Sequence, residues 1–153
     1  MGLVIPSDVA ELLEASSVGI WLATANAECV PQTTRAMGAR VDGDVVWLFV
    51  PVEQATRALA NLREGSQLAV TFCRIFDYRA VQVKGTLAEM RPCNDAERAV
   101  LQRYREQFTV ASGEVGIPVE PVGRLAIWPS VALAISVREL YSQTPGPSAG
   151  APL

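Results

Sequence analysis

Histidine is absent from the 153 residues. That removes His-based nucleophilic triads, the common zinc motifs and histidine-ligated haem from the chemistry this chain can carry on its own side chains. Redox chemistry, if present, then rests on a bound organic cofactor. Cysteine is scarce. Cys29, Cys73 and Cys93 are odd in number and widely spaced, which suits packing roles in a reducing compartment better than a disulfide framework. Long apolar runs are missing too: the longest, Val45–Val50, is far short of the roughly 20 residues that span a bilayer, so no membrane-crossing helix is expected. Cationic runs are also lacking. The 13 Lys and Arg are scattered among 16 Asp and Glu, for a net charge of -3, and no stripe of positive charge marks a nucleic-acid surface. The first basic residue is Arg35, so the N-terminal stretch lacks the cationic start of a secretory signal, and the expected compartment is the cytoplasm.

What is present is an ample apolar complement. Half of the residues are hydrophobic and 19% are charged, the composition of a folded domain with a core of its own and some surplus for an oligomer interface. Asp8 with Glu11 reads as a capping box opening a helix through Ala15, with Val9, Leu12 and Leu13 as its apolar stripe. β-Branched and aromatic residues then predict a strand over Val18–Ala25, a second over Val30–Val41, and, after the Asp42-Gly43-Asp44 turn, a third over Val45–Val50. A short helix is expected over Gln54–Arg63, closed by Gly65, and strands over Ser66–Arg74 and Arg79–Met90. Asn94 with Glu97 forms another capping box, opening a helix to about Phe108. A Gly- and Pro-containing connection over Val110–Gly123 leads to two short strand segments, Arg124–Trp128 and Val131–Val137, flanking Pro129. The expected fold is mainly β: a closed or split barrel with flanking helices, since the strict strand-helix alternation of a doubly wound sheet is missing. Residues 1–143 read as a single domain. Residues 144–153, rich in Pro, Gly, Ala and Ser, read as a tail that is mobile unless a partner chain holds it.

Three places carry candidate chemistry. Phe49 to Arg57 takes the chain from a strand end into a helix N-terminus, where free amides favour an anion. There Thr56 adds a hydroxyl and Arg57 a guanidinium fork that can bridge two phosphate oxygens. Gln82 and Lys84 share one strand face by the two-residue period, so they can reach one ligand together. Arg35 interrupts Thr33, Thr34 and Ala36 on the second strand. Each of these also suits a solvated helix or strand face, and residue type with spacing leaves both readings open.

In combination the pieces resemble the flavin-mononucleotide-binding split-barrel family that includes the pyridoxamine phosphate oxidases. Four stretches carry the resemblance, between about Leu12 and Met90: Leu22-Ala-Thr24 with Pro31, then Arg35, then Ala55-Thr-Arg57 ahead of Asn61-Leu62, and Val81-Gln-Val-Lys-Gly85. The resemblance implies FMN as cofactor. Arg57 and Gln82 would hold the flavin phosphate region, Arg35 would assist, and Thr56 would serve as hydroxyl donor with Lys84 beside Gln82. It also implies a homodimer with two equivalent sites in grooves between the barrels. Ala55-Thr56-Arg57 departs from the Ser-Arg-Lys string usual in the oxidases, and their C-terminal substrate motif is not recognisable. The expectation is therefore a related flavin-dependent oxidoreductase with an unassigned small-molecule substrate, or else a non-catalytic flavin-binding or ligand-sensing barrel. No catalytic acid or base stands out, and a deazaflavin remains an alternative to FMN.

Overall fold

The computed structural model describes residues 2–153. Strand β1 (Val18–Ala25), strand β2 (Pro31–Ala36), β3 (Ala39–Asp42), β4 (Val45–Pro51), β5 (Gln67–Arg74), β6 (Ala80–Pro92) and β7 (Ser130–Ser142) form one antiparallel sheet in the order β2-β1-β5-β6-β7-β4-β3. Helix α1 (Ser7–Glu14) precedes the sheet, α2 (Thr56–Ala60) follows β4, and α3 (Asp95–Glu114) with α4 (Val119–Gly123) lies between β6 and β7. The strands alternate as a half-buried sheet demands. In β5, for example, Leu68, Val70 and Phe72 point into the core while Thr71 and Cys73 do not.

The sheet curls into a barrel because one extended stretch serves both of its edges. Residues 31–36 pair with β1, residues 39–42 pair with β4, and the bend between them is bonded to β4 through Met37 N to Phe49 O at 2.9 Å and Phe49 N to Gly38 O at 3.0 Å. Gly38 makes that bend with φ +145°, and a Cβ there would press on Phe49 and Val100, both at 3.4 Å. The single strand expected over Val30–Val41 is thus two strands joined by a glycine corner. A second close approach closes the β6–β7 seam: a Cβ on Gly85 would lie 2.3 Å from the Ser136 carbonyl oxygen, at a register shift between Lys84 and Gly85.

Helix α3 is anchored at its start. Asn94 accepts the Glu97 amide at 2.9 Å, and Glu97 accepts the Asn94 amide at 2.9 Å, completing the expected capping box. Glu97, whose side chain is 7% exposed, also takes a two-pronged bond from Arg91 at 2.7 and 2.9 Å, while the Arg91 guanidinium stacks 4.7 Å over the Trp47 ring. The helix runs past Phe108 to Glu114 because the buried face continues through Ala111 and Ser112.

Other expectations are corrected. Asp8 and Glu11 form no capping box: α1 starts after Pro6 without a side-chain cap, and the Asp8 carboxylate is drawn off into a 2.6 Å ion pair with Arg79. Helix α2 is five residues rather than ten, ending where Asn61 turns its side chain to Thr24. Arg124–Trp128 is not a strand, and β7 begins only at Ser130, beyond Pro129, which has no amide to donate. Residues 144–153 fold back on β7, with Gly150 N to Ser142 O at 2.6 Å, Ser142 N to Ala151 O at 2.8 Å and Leu153 N to Leu140 O at 2.9 Å. These bonds cover a stretch of strand edge that β4 does not reach.

Two outcomes test this account of the fold. Gly38→Ala, which forces a side chain into a positive-φ corner, should lower unfolding free energy by about 1–3 kcal/mol in urea melts without changing the fold. The Arg91 guanidinium and the Asn94 amide hold the Glu97 carboxyl below its usual range. A depressed folded pKa gives stability that is complete above the unfolded value, about 4.3, and lost as pH falls through the folded value. The stability gap between wild type and Glu97→Gln should therefore be widest near neutrality and shrink below about pH 4.

Candidate functional site

The corner at Met37-Gly38 decides where Arg35 goes. Thr34 and Ala36 point into the barrel, so Arg35 lies on the outer face of β2, under α3. Its guanidinium is sandwiched between two rings, 5.3 Å from the Trp21 centroid and 4.7 Å from that of Phe108. Phe108 is stacked on Tyr104 with centroids 5.4 Å apart. The Tyr104 hydroxyl donates to the Val18 carbonyl, and burial pushes that hydroxyl up to about 12, with the nearby Arg35 charge opposing the rise. Cation-π contact stabilises the guanidinium by about 0.5–2 kcal/mol, but it does not satisfy N–H groups. Nε and Nη2 of Arg35 are shut off from solvent and find no hydrogen-bond partner among the described residues.

Arg35 is also one of the residues that line a small crevice of about 20 Å³. Its other lining residues are Thr34 and Met37, Pro51 and Gln54 of the β4–α2 turn, and Leu125 and Ala126 from the stretch after α4. The structure thus brings Arg35 to the turn that leads directly into Thr56 and Arg57. Both of the latter are exposed and occupy the first two positions of α2. Helix α2 is docked on β1 by Thr24, whose buried hydroxyl donates to the Ala58 carbonyl at 2.9 Å and accepts from Asn61 Nδ2 at 3.1 Å. A helix of five residues contributes little macrodipole. The polar groups this junction offers are accordingly the Arg57 guanidinium and the Thr56 hydroxyl rather than the helix terminus.

Gln82 and Lys84 lie elsewhere on the same sheet face. Register places Gln82 opposite Thr71, Thr71 opposite Trp21 and Trp21 opposite Arg35, so Gln82 and Arg35 share one cross-strand row three strand spacings apart, about 14 Å along the sheet. Gln82 Nε2 donates to Thr71 Oγ1 at 3.4 Å. Lys84 Nζ sits 4.9 Å from the Tyr141 ring and borders an open groove of about 390 Å³, floored by Ala23, Ala25 and Ala69 and rimmed by Thr86, Arg138 and Glu139. Within the chain the candidate residues therefore form two groups, Arg35 with the Thr56–Arg57 junction and Gln82 with Lys84. The larger hollow is not the one that holds the orphaned cation.

Sequence reasoning missed Trp21, Phe108 and Gln54. The parity of β1 does put Trp21 on the outer face, but nothing in the spacing of residues 73 positions apart pairs Arg35 with Phe108. Among the described residues no group of three or more potential ligands is placed to hold a metal ion, and no helix is long and apolar enough to cross a membrane.

No family model matches the chain, and no curated protein matches it. Solved structures do. An F420 reductase superposes with a TM-score of 0.53 at 19% identity, covering 89% of this chain and 98% of that one. A candidate pyridoxamine 5'-phosphate oxidase from Lactobacillus delbrueckii gives 0.56 at 16% identity, covering 90% and 93%. A protein from Clostridium acetobutylicum related to general stress protein 26, of the pyridoxinephosphate oxidase family, gives 0.51 at 15% identity, covering 88% and 84%. The chain has the split-barrel fold of the pyridoxamine phosphate oxidase-like proteins.

Thr24→Val keeps the shape of the buried side chain but deletes both bonds that dock α2. It should cost about 1–3 kcal/mol of stability and speed amide exchange in α2 more than in β5 or β6.

Proposed function

We propose that the chain binds flavin mononucleotide, with the flavin phosphate at the crevice between Arg35 and the Thr56–Arg57 junction, and that it works as a homodimeric flavin-dependent oxidoreductase. The observation that carries the reading is the orphaned guanidinium. Buried N–H groups in native proteins nearly always have partners, and leaving one unmade costs about 1–3 kcal/mol, more for a charged group. A guanidinium held between Trp21 and Phe108 with two nitrogens unpaired is therefore poised for an acceptor, and a phosphate oxygen is the acceptor that suits its charge and fork. Arg57 and the Thr56 hydroxyl, exposed beyond Gln54, supply further donors to the same anion.

Gln82 and Lys84 are too far along the sheet to share that phosphate. They suit the flavin ring, or the flavin bound by a second copy of the chain. The bound flavin supplies hydride or electron transfer; the protein binds the phosphate, orients the ring and keeps water out. The likeness to an F420 reductase makes a deazaflavin the second ligand to titrate, since its ring is also carried on a phosphate-bearing chain. No side chain stands out as a catalytic acid or base, and the substrate is a small molecule that would meet the flavin in the dimer groove.

The test begins with the absorption spectrum of the purified protein and the mass of the released cofactor. In titrations, Arg57→Ala and Arg35→Met, the latter keeping an apolar chain between the rings, should each weaken FMN binding by about 1.5–3 kcal/mol, the range for a hydrogen bond to a charged group. Riboflavin, which lacks the phosphate, should bind both variants as it binds wild type. Equal FMN affinity in wild type and both variants contradicts the phosphate assignment.

A further inference from the structure

A third hollow lies where the end of α1, the barrel corner and α3 meet. Its volume is about 330 Å³, within the range of small-molecule pockets. Glu14 and Ser16 line it from the end of α1 and the turn after it, Ala39 and Arg40 from the start of β3, and Arg103 and Tyr104 from α3. None of these residues belongs to the Arg35 crevice or to the groove beside Lys84.

We propose that this cleft binds a phosphate-class anion, inorganic phosphate or the phosphate group of a small ester, between Arg40 and Arg103. The cleft is rich in donors, and its acceptors are already engaged. Arg40 and Arg103 are both exposed, and among the described residues neither forms an ion pair. Arg40 lies 5.8 Å from the Trp47 ring, but Glu97, the acid of that neighbourhood, already gives both oxygens to Arg91. The carboxylate within the cleft is Glu14, and its Oε1 accepts the Val41 amide at 2.7 Å. The Tyr104 hydroxyl is engaged as well, donating to the Val18 carbonyl.

The backbone adds a donor of its own. β3 is the outermost strand of the sheet, so one side of its backbone has no ladder partner. Val41 N leaves the strand on that side to reach Glu14, and by the two-residue alternation of an antiparallel strand the Ala39 amide leaves on the same side. Two guanidinium forks, the Ser16 hydroxyl and a strand-edge amide therefore line one hollow against a single carboxylate. An Arg fork bridges pairs of phosphate oxygens, and a tetrahedral anion offers acceptors in several directions at once. A metal ion would find Glu14 alone, outnumbered by two cations.

Amide and arginine side-chain nitrogen–proton spectra of the full chain test the site. Inorganic phosphate and pyrophosphate, titrated at an ionic strength held constant with chloride, should shift the Ala39 and Arg40 amides and the Arg103 Nε–H along one saturating curve. Arg40→Met and Arg103→Met, which keep the aliphatic stems, should each weaken binding by roughly two- to fivefold, as expected for exposed charges. Glu14→Gln removes the opposing charge and keeps an oxygen for the Val41 amide, so it should strengthen binding by a similar factor, a gain that a damaged fold does not produce. Arg57→Ala, at the flavin junction, should leave these shifts unchanged. Absence of saturation at the cleft resonances, shifts confined to Thr56 and Arg57, or equal affinity in wild type, Arg40→Met and Arg103→Met overturns the proposal. None of these outcomes depends on whether FMN binds, so this site and the flavin reading fail separately.

Discussion

The barrel depends on one stretch of chain belonging to two edges. Residues 31–36 complete the ladder on β1 and residues 39–42 complete it on β4, and the corner at Gly38 is what lets a single extended run do both. Without the corner the chain would continue straight along β1, and the sheet would keep two open edges. The same corner has a local consequence. It carries β2 up to the end of β4, so that Arg35, the last outward-facing residue before the bend, meets the turn from which α2 departs.

Arg35 and Arg91 show how that position differs from an ordinary structural one. Each guanidinium lies on an aromatic face, Arg91 on Trp47 and Arg35 between Trp21 and Phe108. Arg91 then donates to Glu97 in a bidentate pair, to the Pro92 carbonyl and, through Nε, toward Glu89, and Glu97 in turn completes the α3 capping box. Arg35 has no such carboxylate; the acids of this chain leave its Nε and Nη2 unpaired. Placing one cation on two rings while withholding a counter-ion is costly for a structural device, and becomes reasonable where an anion arrives from outside. The contrast places Arg91 in the framework and supports the proposal that Arg35 meets a ligand.

Much of the framework is legible in the sequence. β1 is read with both ends correct, and the Asn94–Glu97 box marks the start of α3, because both are set by residues adjacent in the chain. The errors arise where a distant partner decides. Asp8 looks like a cap until Arg79, 71 positions away, takes its carboxylate. Helix α2 is shortened by Asn61 turning to Thr24, and the tail is held by a strand edge that only the folded sheet creates. The candidate site divides the same way. The outward parity of Arg35, Gln82 and Lys84 follows from period two, whereas the two rings around Arg35, the approach of Leu125 and Ala126 to the crevice beside it, and the 14 Å separation of Gln82 from Arg35, about three strand spacings, need the register of four strands and the path of α3.

The central claim is that the Arg35 guanidinium is the anchor for a ligand phosphate, and the most direct probe is the Arg35 Nε–H resonance in arginine side-chain nitrogen–proton spectra, assigned by its loss in Arg35→Lys. On addition of FMN that resonance should shift strongly, with a smaller shift on inorganic phosphate and none attributable to phosphate contact on riboflavin. A flavin that binds, by its own change in absorption, while leaving the Arg35 Nε–H resonance where it was would contradict the account.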